Sequence, residues 1–486
     1  MSAPKSLTSI ALSATLALGL APTAAFAAEP ASDAPSVSAE ATDAPAPQSG
    51  RLENSWRFSD GQPIVLDEGI SLSASTPAWT KNSEGYYVSS DGTPIYGAIQ
   101  RGIDVSEHAK EIDWEAVKAD GVDFALIRCG YGNDYTDQDD KYWKRNVSEC
   151  ERLGIPYGVY LYSYAESVED ARSEADHVFR LLKGHNPAFP VYLDLEENHL
   201  GNVANRSLLA SIAQTFCTRI EAAGYDAGVY ANLYWWDNYL TDPVFNSWER
   251  WVAQYNVTCD YAGTYKTWQA TQHGTIDGIE GSVDIDFLLA DIPADVSRTD
   301  WYYTSGMFDY VTKTGLMGTY SDSGLFGPND PITRGQVATI LHRMAGGALV
   351  DAPYFDDVDY SWYYGPAISW ARSKGIINGY RDDDGVYRTF GPEDPVSREQ
   401  LAVMLANYAS KVGGVDISST GSALNAIAGS QEVSDWARTR LGWAVDNKLI
   451  SGVVANGTSY VQPQGTALRS AMSKMITMLH RDVLGG

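Results

Sequence analysis

From Gly102 onward, short apolar runs that end in small or acidic residues alternate with amphipathic stretches. RGIDVS (101–106), FALIRCGYG (124–132), PYGVYLYSY (156–164), FPVYLDLE (189–196) and AGVYAN (227–232) read as strands. Between them, DWEAVKADG, DDKYWKRNVSECERLG, SVEDARSEADHVFRLLKG and RSLLASIAQTFCTRIEAAG place apolar residues at helical spacing. Strands alternating with such helices predict parallel β/α units. After Asn232 the rhythm changes. RWVAQYN (250–256), YKTWQATQ (265–272) and SVDIDFLL (282–289) are separated by about ten Gly/Thr/Asp-rich residues, too few for a crossover helix. The pattern thus predicts eight strands, five followed by helices and three nearly bare. It forms an α/β barrel over residues 98–293 whose second half is trimmed, which explains its size where ~250 residues are usual.

Past residue 291 the chain repeats itself. DWYYTSGMFDYVTKTGLMGTYSDSGLFGPNDPITRGQVATILHRMAGG (300–347) is followed by a similar unit at 361–409 and a worn third at 435–483. Each has a Trp-headed helix, a Gly/Pro loop and a second helix; Thr333 and Ser397, each before an Arg, are N-cap candidates in the first two. Units this small must bury their faces against one another, so the repeats predict an all-α module with boundaries 294–352, 353–416 and 417–486. Ahead of the barrel, residues 51–97 are turn-rich and aromatic and read as a small β-rich extension. Residues 28–50 are Ala, Pro, Ser and acid, a composition that cannot offset its ordering entropy and predicts a disordered linker. Residues 1–27 have the form of a signal peptide: Lys5, the apolar run Ile10 to Leu20, and Ala25-Phe26-Ala27 as a cleavage site.

Charge narrows the partners. The 62 acids against 35 bases leave a formal net charge of −27, which argues against nucleic acid. It also argues against non-specific adhesion to anionic polymers. No second long apolar run follows the signal, so no membrane insertion is expected after its cleavage. Cys129, Cys150, Cys217 and Cys259 have no zinc spacing, Cys129 lies in a strand pattern and Cys150 and Cys217 in helix patterns, so the four read as buried free thiols. Neither a metal nor a cofactor is indicated; Asp382-Asp383-Asp384-Gly385 reads as a solvated acidic turn.

Catalytic groups of such barrels sit at the carboxyl ends of the strands. Four acids stand there: Asp104, Asp194, Glu196 and Asp284. Asp194 and Glu196 are two apart on a strand, so both point to one face, with Cα atoms ~6.6 Å apart. Carboxylates this close favour keeping one protonated. Breaking a glycosidic bond needs such a proton donor and a second group that stabilises the anomeric carbon. Tyr160, Tyr162, Tyr230, Trp251 and Trp268 lie near these strand ends and are candidate sugar platforms.

The series GIDVS, IDW, GVDFALIRCGYG, PYGVYLYSY, PVYLDLE, VYAN, WVAQY and VDIDF resembles glycoside hydrolase family 25 across roughly 101–293. The resemblance implies an irregular (β/α)5(β)3 TIM-like barrel and a muramidase that cuts after N-acetylmuramic acid in peptidoglycan. It implies Glu196 as general acid and base, Asp194 as the group orienting the substrate's acetamido arm, and Asp104 and Asp284 as the floor that tunes them. Two positions depart from that pattern, His108 and Asp286, where the family often has Gln and Asn. The repeats resemble S-layer homology modules, with Trp301 and Trp362 heading two units and Thr333-Arg334 and Ser397-Arg398 matching that motif. This resemblance implies binding to a secondary cell-wall polysaccharide, with Arg334 and Arg398 as forks for an anionic group. A secreted, wall-associated lysozyme is the expectation. A non-catalytic glycan-binding surface protein is the alternative.

Overall fold

The computed structural model describes Ser55, Arg57, residues 58–59 and 62–63 and, apart from 348 and 351, residues 77–486. The signal peptide and linker expectations lie outside these residues. Eight strands close a barrel: β1 (Ala98–Val105), β2 (Phe124–Tyr131), β3 (Tyr157–Tyr162), β4 (Val191–Asp194), β5 (Ala227–Asn232), β6 (Glu249–Ala253), β7 (Thr267–Gly274) and β8 (Val283–Leu289). Helices α1 (Trp114–Ala119), α2 (Trp143–Leu153), α3 (Val168–Leu182), α4 (Arg206–Ala222) and α5 (Leu233–Asn238) follow the first five strands. The strands pair in parallel from β1 to β7, but β8 runs antiparallel to both β7 and β1. The short link between β7 and β8 holds no helix to carry the chain back to the start of a parallel strand, so it returns as a hairpin.

Side chains alternate across each strand. One face joins the helices in a large outer core; the other fills the barrel with Phe124, Leu126, Tyr160, Tyr192, Tyr230 and Trp251. Glycines make room for these rings. A Cβ on Gly102 would stand 2.4 Å from the Phe124 ring, and one on Gly228 2.4 Å from that of Tyr192. All four cysteines are buried free thiols, as the sequence predicts.

Residues 77–97 form two turns pinned by the bridges Lys81↔Tyr87 and Val88↔Pro94. Trp79 and Tyr87 pack on the outward ring of Phe287, with centroids 6.2 and 5.3 Å away. The opposite side of the turns reaches the repeats: the Tyr86 hydroxyl donates to Asp309 at 2.8 Å and the Tyr303 hydroxyl to the Tyr96 carbonyl at 3.0 Å.

The C-terminal module contains α6 (Trp301–Thr304), α7 (Met307–Lys313), α8 (Arg334–Met344), α9 (Gly365–Ser373), α10 (Arg398–Lys411), α11 (Ser422–Asn425), α12 (Asp435–Asp446) and α13 (Arg469–Thr477) around one continuous core. It is not wholly helical, because loops of the second and third units hold hairpins at 380–389 and 453–460. The three units close into a ring. Val396 N–H donates to the Ile332 carbonyl, Ala467 N–H to that of Val396, and Ile332 N–H to that of Ala467, at 2.9–3.0 Å. Each ring segment feeds a helix opened by an arginine, and each arginine crosses into the next unit. Arg334 donates to the Phe390 and Asn378 carbonyls, Arg398 to those of Val461 and Ser451, and Arg469 to those of Phe326 and Gly318. The third unit, worn in sequence, keeps this contact in full. Among the described residues no helix is long and apolar enough to cross a membrane.

Candidate active site

The acids gather at one mouth of the barrel. Asp104 ends β1, and antiparallel pairing sets Asp284 directly opposite it. Asp284 therefore reaches the mouth from the start of its strand, not from the carboxyl end that a parallel barrel would give. Asp194 ends β4, with Tyr162 of β3 and Tyr230 of β5 as its register partners. The chain stays extended beyond it: Leu195 N–H donates to the Tyr230 carbonyl and its side chain joins the outer core. Glu196 thereby returns to the inner face beside Asp194, as the two-residue spacing predicts. Both are buried, at 2% and 1% exposure for Asp194 and Glu196.

Beneath them runs a hydrogen-bonded floor. The Tyr230 hydroxyl donates to Gln269 Oε1 at 3.0 Å, and Gln269 Nε2 donates to Asp104 Oδ2 at 2.5 Å. Asp286 accepts from the Trp251 indole at 2.8 Å. Burial, then the nearby Asp104 and Asp284, push its carboxyl well above the usual range, so it holds a proton and donates it toward Asp104. Burial also raises Asp104, while Arg57, Gln269 and the hydrogen bond from Asp286 pull it back. At the rim, the Tyr162 hydroxyl donates to Glu197 at 3.0 Å. Behind β3, Glu174 accepts from the Ser163 hydroxyl and the Tyr164 N–H, both at 2.8 Å, and burial lifts its carboxyl to about 8.

Not every candidate platform faces this mouth. Trp268 alternates with the inward Gln269, so it lies outside the barrel against Phe287, and its indole donates to the Gln254 carbonyl. It is a core residue. Tyr160 and Trp251 point inward but lie in the packed layer within the barrel, with ring centroids 5.6 Å apart. Tyr162 and Tyr230 stand at the level of Asp194. His108 is exposed. Sequence reasoning missed Gln269 and Tyr255, whose hydroxyl stands 3.4 Å from both Gln269 Oε1 and Asp284 Oδ1, although both lie in strand segments; their alternation with outward residues was the available signal. It also missed Arg57, for which no local signal exists.

In the ring module the tryptophans are outside. Trp301, Trp362 and Trp436 are 51%, 56% and 53% exposed, so core packing does not explain them. Two of them edge grooves where units meet. One, of about 510 Å³, is lined by Arg334, Tyr380, Tyr387, Met404 and Trp436. The other, of about 570 Å³, is lined by Tyr320, Arg343, Trp362, Tyr363 and Arg469. The guanidinium groups of Arg334 and Arg469 stack on Tyr380 and Tyr320, 4.7 and 4.5 Å from the ring centroids.

The structure is thus a closed, irregular β/α barrel with carboxyl groups clustered at one mouth, joined to a ring of helical repeats. Residues 103–279 match the model of glycosyl hydrolases family 25, and the chain belongs to that family. Residues 294–338 and 354–402 match the S-layer homology domain. The autolytic lysozyme of Clostridium acetobutylicum is 28% identical over 187 residues, covering 38% of this chain and 55% of the lysozyme. The uncharacterized protein YegX of Escherichia coli O157:H7 is 30% identical over 190 residues, covering 38% of this chain and 67% of its own. Among solved structures, the modular autolysin LytC from Streptococcus pneumoniae, in complex with a synthetic peptidoglycan ligand, is 28% identical with a TM-score of 0.39. That match covers 43% of this chain and 52% of LytC. The chain thus spans about half the length of the lysozyme and the autolysin that it matches.

Proposed function

We propose that this protein is a secreted, wall-held N-acetylmuramidase that hydrolyses the β-1,4 bond between N-acetylmuramic acid and N-acetylglucosamine in peptidoglycan. The observation that carries the reading is the placement of Asp194 and Glu196 on one inner face at the mouth of a family 25 barrel, above a floor of Asp104, Asp284 and Asp286. Glu196 protonates the leaving oxygen and then activates water. Asp194 orients the acetamido group, whose oxygen attacks the anomeric carbon in a substrate-assisted route. Asp104 and Asp284 hold the floor's charge, and Tyr162 and Tyr230 shape its walls.

The repeats hold the enzyme on a secondary wall polysaccharide. Exposed Trp301 and Trp362, with Trp436, offer apolar faces to sugar rings. Arg334 and Arg398 supply positive charge, although their Nε and one terminal nitrogen already serve the neighbouring repeat. Holding one polymer raises the effective concentration of the barrel at the glycan, a gain of ~10²–10⁴-fold in avidity.

Digestion of purified peptidoglycan, read by mass spectrometry, tests the catalytic reading. Fragments with reducing muramic acid ends are expected, and Glu196→Gln should lower the rate by ~10²–10⁴-fold or more while the fold survives. Reducing N-acetylglucosamine ends, or an unchanged rate for the variant, would overturn it.

A further inference from the structure

The mouth of the barrel holds a cation that the barrel does not supply. Arg57 lies well ahead of β1, outside the segment 103–279 that matches the family, yet its side chain enters the acid cluster. One terminal nitrogen donates to the Tyr230 hydroxyl at 3.1 Å. The other donates to Asp284 at 3.0 Å and stands 3.8 Å from Asp104. Arg57 is 8% exposed and Ser55, whose hydroxyl accepts from the Arg57 N–H, 1%. Asp104 and Asp194 are 2% exposed and Glu196 1%.

A general acid must come within roughly 3 Å of the leaving oxygen. Glycan that reaches Glu196 meets a mouth at which Arg57 already occupies the Tyr230 hydroxyl and Asp284. The barrel closes through its own eight strands and needs no residue from position 57 to do so. Arg57 is also well suited to be displaced. Its partners are an acid and a phenol at the wall of the site, groups that sugar hydroxyls can satisfy in its place.

We infer that Arg57 is an autoinhibitory contact, a built-in occupant of the sugar site that competes with glycan for Tyr230 and Asp284. The inference rests on the muramidase reading of the same mouth. In the closed state Arg57 competes with substrate; in the open state it leaves the floor and Tyr230 to the sugar. Removing the guanidinium therefore favours binding and turnover, whereas a residue that served the reaction would slow it when removed.

Two measurements on the full chain decide this. In the first, Arg57→Ala is compared with the parent on solubilised peptidoglycan strands. An increase of about tenfold in kcat/KM is expected, the effect of one charge-assisted contact. An unchanged or lower value would overturn the inference. In the second, the Glu196→Gln chain is exposed to trypsin with and without saturating solubilised strands, and cleavage after Arg57 is followed by mass spectrometry. Glycan should accelerate that cut by about tenfold or more; no change, or protection, would mean that Arg57 stays in place. This second arm also serves if Arg57→Ala folds poorly. If neither the parent nor Arg57→Ala hydrolyses the strands, the muramidase reading fails. The inference is then judged by calorimetry, which should show tighter binding of the strands to Arg57→Ala.

Discussion

Asp286 shows how one buried side chain sets the character of the floor. It sits between the Trp251 indole and Asp104, fully buried, and is held protonated by burial and by its acidic neighbours. A neutral carboxyl there accepts from one side and donates to the other, which an amide can also do. Asp286→Asn should therefore keep the fold, the melting temperature and hydrolysis near parent values. Asp286→Ala strips a buried donor and a buried acceptor of their partner, at ~1–3 kcal/mol for each unmet group. Thermal unfolding of the two variants checks this: equal losses of Tm would refute the proton-holding role.

Elements are fastened at their ends by single groups. Glu174 ties α3 to the residues just past β3, and its carboxyl lies at about 8 instead of the ordinary 4.5. The native state thus holds a proton that the unfolded chain releases earlier. Its stabilising share is complete below pH ~4.5 and is lost as pH rises through about 8. Glu174→Gln should flatten this loss, so the Tm difference between variant and parent must grow from pH 5 to pH 9; a constant difference would contradict the assignment. In the ring, α8 and α10 begin with capping boxes, Thr333 with Gln336 and Ser397 with Gln400. The matching position before α13 is Leu468, in the same extended conformation but without a side-chain cap. Leu468→Thr should restore the bond and add ~1 kcal/mol, visible as a rise in Tm.

At the scale of the molecule, the ring depends on its last contact. Arg469 returns the third unit to the first by bonding the Phe326 and Gly318 carbonyls, as Arg334 and Arg398 join the other pairs. Hydrogen bonds to a charged group are worth ~1.5–3 kcal/mol each. Arg469→Ala should therefore destabilise the module about as much as Arg398→Ala, despite lying beyond the residues that match the repeat model. Denaturant unfolding compares them, and a near-silent Arg469→Ala would mean that the third unit is only appended. Wall retention separates the roles. Trp362→Ala and Trp436→Ala should weaken binding to walls while leaving Tm unchanged, because these rings are half exposed.

Much of this architecture is written in local order along the chain. Apolar periodicity marks the strands and helices of the barrel, the short links between its last three strands mark its bare half, and the Trp-headed units mark the repeats. The spacing of Asp194 and Glu196 is enough to set both on one face, since side-chain direction on a strand has a period of two. What local order cannot carry is the partner across the fold. The reversal of β8 came from a link too short to hold a helix, and it decided that Asp284 faces Asp104. Alternation on β7 turned Trp268 outward and brought Gln269 to the floor, a choice of face that only closure of the barrel makes. The third repeat lost its cap and its sequence signature yet kept its place, because ring closure rests on backbone bonds and one arginine. Arg57 is the extreme case. Its meeting with Tyr230 and Asp284 joins positions 173 and 227 residues apart, and contacts at that separation leave no trace in any local pattern.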